Sequence, residues 1–143
     1  MKAIECIKLI FKTASWSFEE SESKGNYKVE LDNLSIAFTP ITDTIFTIEG
    51  EITTLSGYET EDFELLKELG KLCVSIILQR SIRIVLQGSK VVAELEFDAN
   101  IDEDLILDDV GSFLDVCDIF KEQATKMQLE KQIYTSSPWS LLR

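Results

Sequence analysis

Histidine is absent from the 143 residues of the sequence. Without it, no Ser-His-Asp or Cys-His catalytic arrangement can form, and histidine-based metal motifs are excluded as well. The sequence also contains no CxxC pair, no Walker loop and no GxGxxG motif. We therefore predict a protein that is not an enzyme and that has no cofactor and no metal site.

Cysteine is scarce, with only Cys6, Cys73 and Cys117. Their odd number and their apolar neighbours are typical of reduced core thiols in a cytosolic protein. Long apolar runs are also missing: the longest, 72–78, is far shorter than the roughly 20 residues that span a bilayer. Charged residues interrupt the N-terminal apolar residues before a signal sequence can form. These features predict a cytoplasmic location.

Positive charge is in short supply. The chain has 26 Asp and Glu residues against 14 Lys and Arg, which gives a formal net charge of −12 and a pI of about 4.4. Such a surface repels phosphate groups and anionic membranes, so we predict neither a nucleic-acid nor a membrane partner. It suits a basic protein partner, although an ordinary solvated surface would have the same composition.

The first half of the chain predicts one helix and three strands. Residues 3–14 carry apolar side chains at helical spacing, and the runs within 27–38 and 44–54 alternate as strands do. At Asp32-Asn33 the alternation changes parity, which a tight hairpin or a bulge would produce.

The second half repeats this order in a shorter form. Residues 60–78 have helical spacing, and the alternating run 82–97 is divided by Gly88-Ser89, which predicts a hairpin. Residues 108–131 form a last amphipathic helix. Gly70 lies within the second helix, where close packing against another backbone or simple tolerance would explain it.

These elements predict a single α+β domain over residues 1–132. Its order is helix, three strands, helix, two-stranded hairpin and helix, with an antiparallel sheet packed against the helices. Residues 133–143 are predicted to be a C-terminal tail, in which Trp139 either contacts a partner or folds back on the domain.

The segment from Asp98 to Asp109 is the one local pattern with metal-like spacing. Asp98, Asn100 and Asp102 occupy positions 1, 3 and 5 of a calcium loop. Glu103 stands where the loop needs glycine, and Asp109 stands where it needs a bidentate Glu. The competing interpretation is a solvated loop that adds negative charge at the start of the last helix.

The order, size and acidity of the chain resemble those of the class I type III secretion chaperones. The resemblance covers nearly the whole chain and involves no diagnostic short motif. The stretch from Val92-Ala93-Glu94-Leu95-Glu96-Phe97-Asp98 through Phe113-Leu114-Asp115-Val116-Cys117-Asp118 also resembles the end of the YbjN family, which has the same general fold and a regulatory role.

The chaperone resemblance implies a cytoplasmic homodimer that holds an extended segment of a partner, such as a secreted effector, through strand edges and apolar pockets. The pocket candidates are Ile36, Phe38, Phe46 and Ile48, although burial in the core is the competing interpretation for at least half of them. The predicted dimer interface involves the 60–78 helix and the 82–97 hairpin, with Gly70, Cys73, Ile77, Val85 and Val92.

A second class of protein fits the charge equally well. An acidic immunity or inhibitor protein would use its surface to cover a basic toxin or enzyme. Such a protein can act as a monomer and abolishes an enzymatic activity, whereas a chaperone is expected to be a dimer.

Overall fold

The computed structural model describes residues 1–17, 25–76 and 82–135. Within these residues, three helices and five strands follow one another in the predicted order. They are α1 (Ala3–Thr13), β1 (Tyr27–Leu31), β2 (Leu34–Pro40), β3 (Ile45–Thr54), α2 (Glu59–Ile76), β4 (Arg83–Gln87), β5 (Lys90–Asp98) and α3 (Glu103–Thr135).

The five strands form one antiparallel sheet in the order β1-β2-β3-β5-β4. Both predicted hairpins are present, closed by Asp32-Asn33 and by Gly88-Ser89. The first residue of each turn has a positive φ, 49° at Asp32 and 63° at Gly88. Glycine adopts this conformation without strain, and aspartate is among the side chains that tolerate it.

The helices cover one face of the sheet, and the core lies between them. Alternate residues of β2, β3 and β5 point into it, as the period of two requires. Six phenylalanines are completely buried there: Phe11, Phe38, Phe46, Phe97, Phe113 and Phe120. Phe46 and Phe97 are cross-strand partners whose rings stack 5.4 Å apart. The predicted α+β fold is therefore confirmed.

The end of α1 is held by a backbone motif and an aromatic contact. Ser15, at φ 59°, lets its own N–H donate to Lys12 O and the Trp16 N–H donate to Phe11 O. This pair of bonds is a Schellman motif. It brings the Trp16 ring to 5.5 Å from Phe11, which in turn packs edge-on against Phe38. The cap thus ties α1 to β2.

The start of α3 differs from the prediction. The helix begins at Glu103, five residues before the predicted start at Asp108. Asp102 explains the difference, because its Oδ1 accepts a hydrogen bond from the Asp104 N–H at 2.9 Å, as an N-cap does. The acids that suggested a loop therefore form the cap and first turn of the helix, where the helix dipole favours them.

The other end of α3 also extends beyond the prediction, since the helix continues to Thr135 and passes the predicted domain end at residue 132. Trp139 and the rest of the predicted tail after residue 135 lie outside the described residues.

Glycine permits one close contact between α3 and the sheet. A Cβ atom at Gly50 of β3 would lie only 2.7 Å from Cys117 Sγ. At Gly70 of α2, by contrast, nothing in the described part of the chain lies within 4 Å of such an atom. Gly50, and not Gly70, is therefore the position where packing within the chain requires glycine.

Candidate partner-binding surfaces

The predicted pocket residues lie inside the core. Ile36, Phe38, Phe46 and Ile48 are each at most 1% exposed. They occupy the face of the sheet that the helices cover, so a partner cannot reach them while the domain is folded. The prediction that these residues form open pockets is therefore wrong. All four, and not only half of them, are core residues.

The predicted dimer residues do not form one surface. Gly70 is exposed on α2, whereas Cys73 on the same helix belongs to the core. Val85 and Val92 are cross-strand partners on the face of the sheet opposite the helices. Val92 is only 1% exposed, and Val85 is partly buried. Ile77 lies outside the described residues.

A groove of about 850 Å³ opens between the β1–β2 hairpin and the second half of α3. The hairpin and the helix contribute residues that are 80 to 98 positions apart in the sequence. The groove is lined by Leu31, Asp32, Asn33, Leu34, Leu114, Asp118, Lys121, Glu122, Thr125, Lys126 and Leu129. Because β1 is an edge strand of the sheet, the groove lies beside backbone groups that no other described strand covers.

One face of α3 packs against the sheet, and the neighbouring face lines the groove. Val110, Phe113, Cys117, Phe120 and Ala124 are buried against the sheet, as their helical spacing predicts. The neighbouring face carries the groove residues from Leu114 to Leu129.

The groove combines an apolar interior with mixed charge. Leu31 and Leu114 are partly buried and pack against the core, whereas Leu129 is 52% exposed. The charged lining residues are three acids and two lysines. Their ratio is closer to balance than the 26 acids and 14 basic residues of the whole chain. Such a composition is typical of a site for an apolar peptide side chain with polar surroundings.

Sequence reasoning missed the groove, although a signal for it was present. Leu114 and Leu129 are apolar and follow helical spacing, but they lie beside the stripe that forms the core. Two leucines beside the core stripe, with only polar groove residues between them, indicate a surface that another protein can cover.

Four other exposed apolar side chains lie on or beside α2 and β4, two elements that contact each other, and are here called the α2–β4 surface: Tyr58 just before α2, Phe63 and Val74 on α2, and Leu86 on β4. Their side chains are 50–76% exposed. Phe63, Gly70 and Val74 follow one another at intervals of seven and four residues, which aligns them on one side of α2. Since Gly70 adds no side chain in the middle of this stripe, another helix could approach α2 closely there.

The face of the sheet opposite the helices is polar. Lys90 Nζ lies 3.0 Å from Glu51 Oε1, and Arg83 forms an ion pair with Glu94. The side chains of Gln87 and Ser35 donate hydrogen bonds to glutamates, Glu49 and Glu30 respectively. No helix of the described residues covers this face, and some of its charged side chains form ion pairs with one another.

The predicted calcium-like segment has a structural role instead. Asp98 Oδ1 accepts a hydrogen bond from the Asn100 N–H at 2.9 Å, and Asp102 caps α3. Over residues 1–17, 25–76 and 82–135, no group of three acidic, cysteine or histidine side chains is arranged to hold a metal ion. Asp98 and Asp102 accept hydrogen bonds from backbone N–H groups, and residues 103–109 belong to α3 rather than to a loop.

The three thiols are buried, and burial keeps them protonated. It raises the pKa of Cys6 to about 11 and that of Cys117 to about 12, and it also raises the pKa of Cys73. The nearby carboxylates of Glu103 and Asp118 add to the shifts of Cys6 and Cys117. Because the thiolate is the reactive form, none of the three is suited to nucleophilic chemistry.

None of the described helices combines the length and the apolar character needed to cross a bilayer.

Comparison with solved structures shows that the chain has a fold found in type III secretion chaperones. The chaperone SycH of Yersinia pestis, solved with a stable fragment of YscM2, aligns with a TM-score of 0.58 and 14% identity over 82% of this chain and 98% of that one. The ExsC–ExsE complex aligns with a TM-score of 0.55 and 8% identity, over 82% of this chain and 90% of its own.

An uncharacterised protein from Methanothermobacter thermautotrophicus is similar to the same degree. It aligns with a TM-score of 0.56 and 13% identity, over 90% of this chain and 98% of that one. At these identities the likeness concerns the fold alone. No family model and no curated protein matches the sequence, and the resemblance to the YbjN family stays a prediction.

Proposed function

We propose that this protein is a non-catalytic, chaperone-like binding protein that holds an extended segment of another protein. The groove between the β1–β2 hairpin and α3 is the observation on which the proposal depends. It offers apolar side chains, mixed polar groups and a neighbouring edge strand in one place. Together these features provide both pockets and backbone hydrogen bonds for a peptide.

The structural neighbours support a partner-binding role. SycH was solved with a fragment of YscM2, and ExsC was solved with ExsE. Since both neighbours were solved in complex with another protein, the shared fold is a suitable scaffold for binding a protein partner here. The buried, protonated thiols and the lack of histidine also agree with a role that involves no catalysis.

We also propose that the protein is a homodimer that associates through the α2–β4 surface. Phe63 and Val74 are 67% and 76% exposed, which is unusual for large apolar side chains on one helix face. The proposed interface still includes α2, β4 and Gly70, as predicted from the sequence. It does not include Val85 and Val92, because these two residues lie on the opposite face of the sheet.

The groove is tested by comparing two matched variants in affinity purification from the native host. Leu129→Glu places a charge in the groove, and Ile119→Glu places one elsewhere on α3 at a residue of similar exposure, 46% against 52%. Partners are identified by mass spectrometry. We expect wild type and Ile119→Glu to retain a common partner and Leu129→Glu to lose it, because burying an unpaired charge opposes binding.

The recovered segment is then synthesised and titrated into the purified protein while amide hydrogen exchange is followed. Protection is expected along β1 and at residues 118–129, where the groove lies. Equal recovery of the partner by both variants, or protection confined to other elements, would contradict the proposal.

A further inference from the structure

The large apolar side chains that are exposed in the described residues divide into groups by position. Four form the α2–β4 surface, Leu129 lines the groove, and Ile119 lies elsewhere on α3. The remaining five define a second group, here called the loop end: Met1, Ile4, Ile41, Ile101 and Leu105, with 36–57% exposure. Neither the groove nor the α2–β4 surface includes any of them.

Backbone hydrogen bonds hold the three segments of the loop end together. The Ala3 N–H donates to Asp43 O at 2.7 Å, and the Ala99 N–H donates to Thr44 O at 2.7 Å. The first turn of α1, the loop 41–44 and the segment 99–105 therefore meet where β2 ends and β3 begins. Glu103 also lies close enough to Cys6 to contribute to its raised pKa.

Negative charge predominates around these apolar residues. Six exposed acids belong to the same three segments and the adjoining turn of α3: Glu5, Asp43, Asp102, Glu103, Asp104 and Asp108. The positive groups on this part of the molecule are the N-terminal amine of Met1, Lys2 and Lys8. An apolar centre within a charged rim is the usual anatomy of a protein-binding surface, and its charge selects the sign of the partner.

We propose that the loop end docks a basic, amphipathic segment of another protein. The apolar side of that segment covers Ile4, Ile41 and Leu105, and its Lys and Arg residues face the surrounding acids. Charge complementarity favours this occupant, since the same acids repel an acidic segment or an anionic membrane surface.

The loop end is separate from the groove. Strand β2 runs from Leu34 at the groove to Pro40 at the loop end, so the two surfaces lie at opposite ends of the sheet. The inference therefore stands without the proposed function, and the two can be tested independently.

The test measures binding of a fluorescent model peptide to the full chain by anisotropy. The probe is a helical peptide of about 18 residues, or five turns, with leucines on one side and lysines on the other. We expect the double variant Ile41→Ser/Leu105→Ser to weaken binding about tenfold or more. Binding should also weaken when sodium chloride rises from about 0.05 M to about 0.5 M, because salt screens the acids.

Matched variants distinguish this site from general acidity. Ile119→Ser removes an exposed apolar side chain of α3 outside the loop end, the groove and the α2–β4 surface, and Glu59→Gln/Glu64→Gln removes the same charge as Asp104→Asn/Asp108→Asn. The Asp104→Asn/Asp108→Asn pair tests the loop end without changing its apolar residues. Only the loop-end variants should weaken binding, and a leucine–glutamate peptide should not bind.

Three outcomes would overturn the inference. These are an equal loss of affinity in the two control variants, Ile119→Ser and Glu59→Gln/Glu64→Gln, unchanged affinity in both loop-end variants, and no binding of the basic peptide to wild type. Thermal melting of each variant checks that it is folded, which the exposure of the substituted side chains leads us to expect.

Discussion

Gly50 lies in the middle of β3, where α3 crosses the sheet, and Cys117 of α3 fills the space that a side chain there would need. Both residues are buried, and Ile36 Cδ1 closes another side of the same space at 3.4 Å from the Cβ position. Because a packed core has little room to adjust, the distance between α3 and the sheet depends on this one glycine.

Replacing Gly50 with alanine is expected to lower the free energy of unfolding by about 1–3 kcal/mol, because the added methyl group must displace the Cys117 thiol. Urea denaturation followed by circular dichroism measures the change. Gly111→Ala is the matched control: nothing among the described residues lies within 4 Å of a Cβ atom at this position of α3, and we expect the variant to raise stability by about 1 kcal/mol. An unchanged free energy in Gly50→Ala would contradict the close contact.

The buried thiol of Cys117 predicts a loss of stability at high pH. Its pKa is about 12 in the folded protein against an ordinary value of 9.0, mainly because burial disfavours the thiolate. Between these values the unfolded state has lost the proton and the folded state has kept it. The free energy of unfolding therefore falls as pH rises through this range, and the contribution is complete below about pH 9.

Urea denaturation at about pH 8 and about pH 10.5 checks this expectation. Wild type should lose more stability between the two values than Cys117→Ala, which has no thiol to ionise at this position. The comparison is made within each variant, so the cavity left by the substitution does not affect it. Equal losses would show that this thiol does not govern the pH dependence.

At the scale of elements, the start of α3 is set by a side chain that caps the helix. Asp102 carries a carboxylate whose oxygen satisfies one of the N–H groups that a helix leaves open at its first turn. Helical periodicity alone did not reveal this start, because two of the four residues of the first turn, 103–106, are acidic and only Ile106 is buried.

Asp102→Ala is expected to lower the free energy of unfolding by about 0.5–2 kcal/mol, whereas Asp102→Asn should retain most of the stability because the amide oxygen can also accept the bond. Thermal and urea denaturation measure both variants. Asp108→Ala serves as the control, since Asp108 is an exposed acid inside the helix. A similar loss in Asp102→Ala and Asp108→Ala would argue against the cap.

For the whole molecule, the exposed apolar residues of the α2–β4 surface predict a homodimer. Light scattering is expected to give a mass about twice the 16.2 kDa of the chain. Phe63→Asp should shift the mass to that of a monomer, because a charge buried in the interface would have no partner. Ile119→Asp, at an exposed site outside this surface, should remain a dimer.

A wild-type monomer at micromolar concentration would remove the support for this interface. A dimer that persists in both Phe63→Asp and Val74→Asp would instead place the interface on another surface.

The element order was predictable because helices and strands have different local periods, which a run of ten residues already displays. The two hairpins were predictable for the same reason, since Asp32-Asn33 and Gly88-Ser89 are short-range turn signals. Local periods could not predict which apolar residues a partner can reach. Ile36, Phe38, Phe46 and Ile48 have the same alternating pattern whether a helix or a partner covers their face of the sheet.

The amino-acid sequence by itself determined the succession of elements, the negative charge of the surface and the exclusion of histidine chemistry, since each follows from local pattern or composition. Only the tertiary structure decided which apolar side chains remain exposed. The strand order β1-β2-β3-β5-β4 and the path of α3 bring Leu31 and Leu129 into one groove, Gly50 against Cys117, and Ile41 to the same end of the sheet as Leu105. These contacts join residues far apart in the chain, and local periodicity carries no information about them.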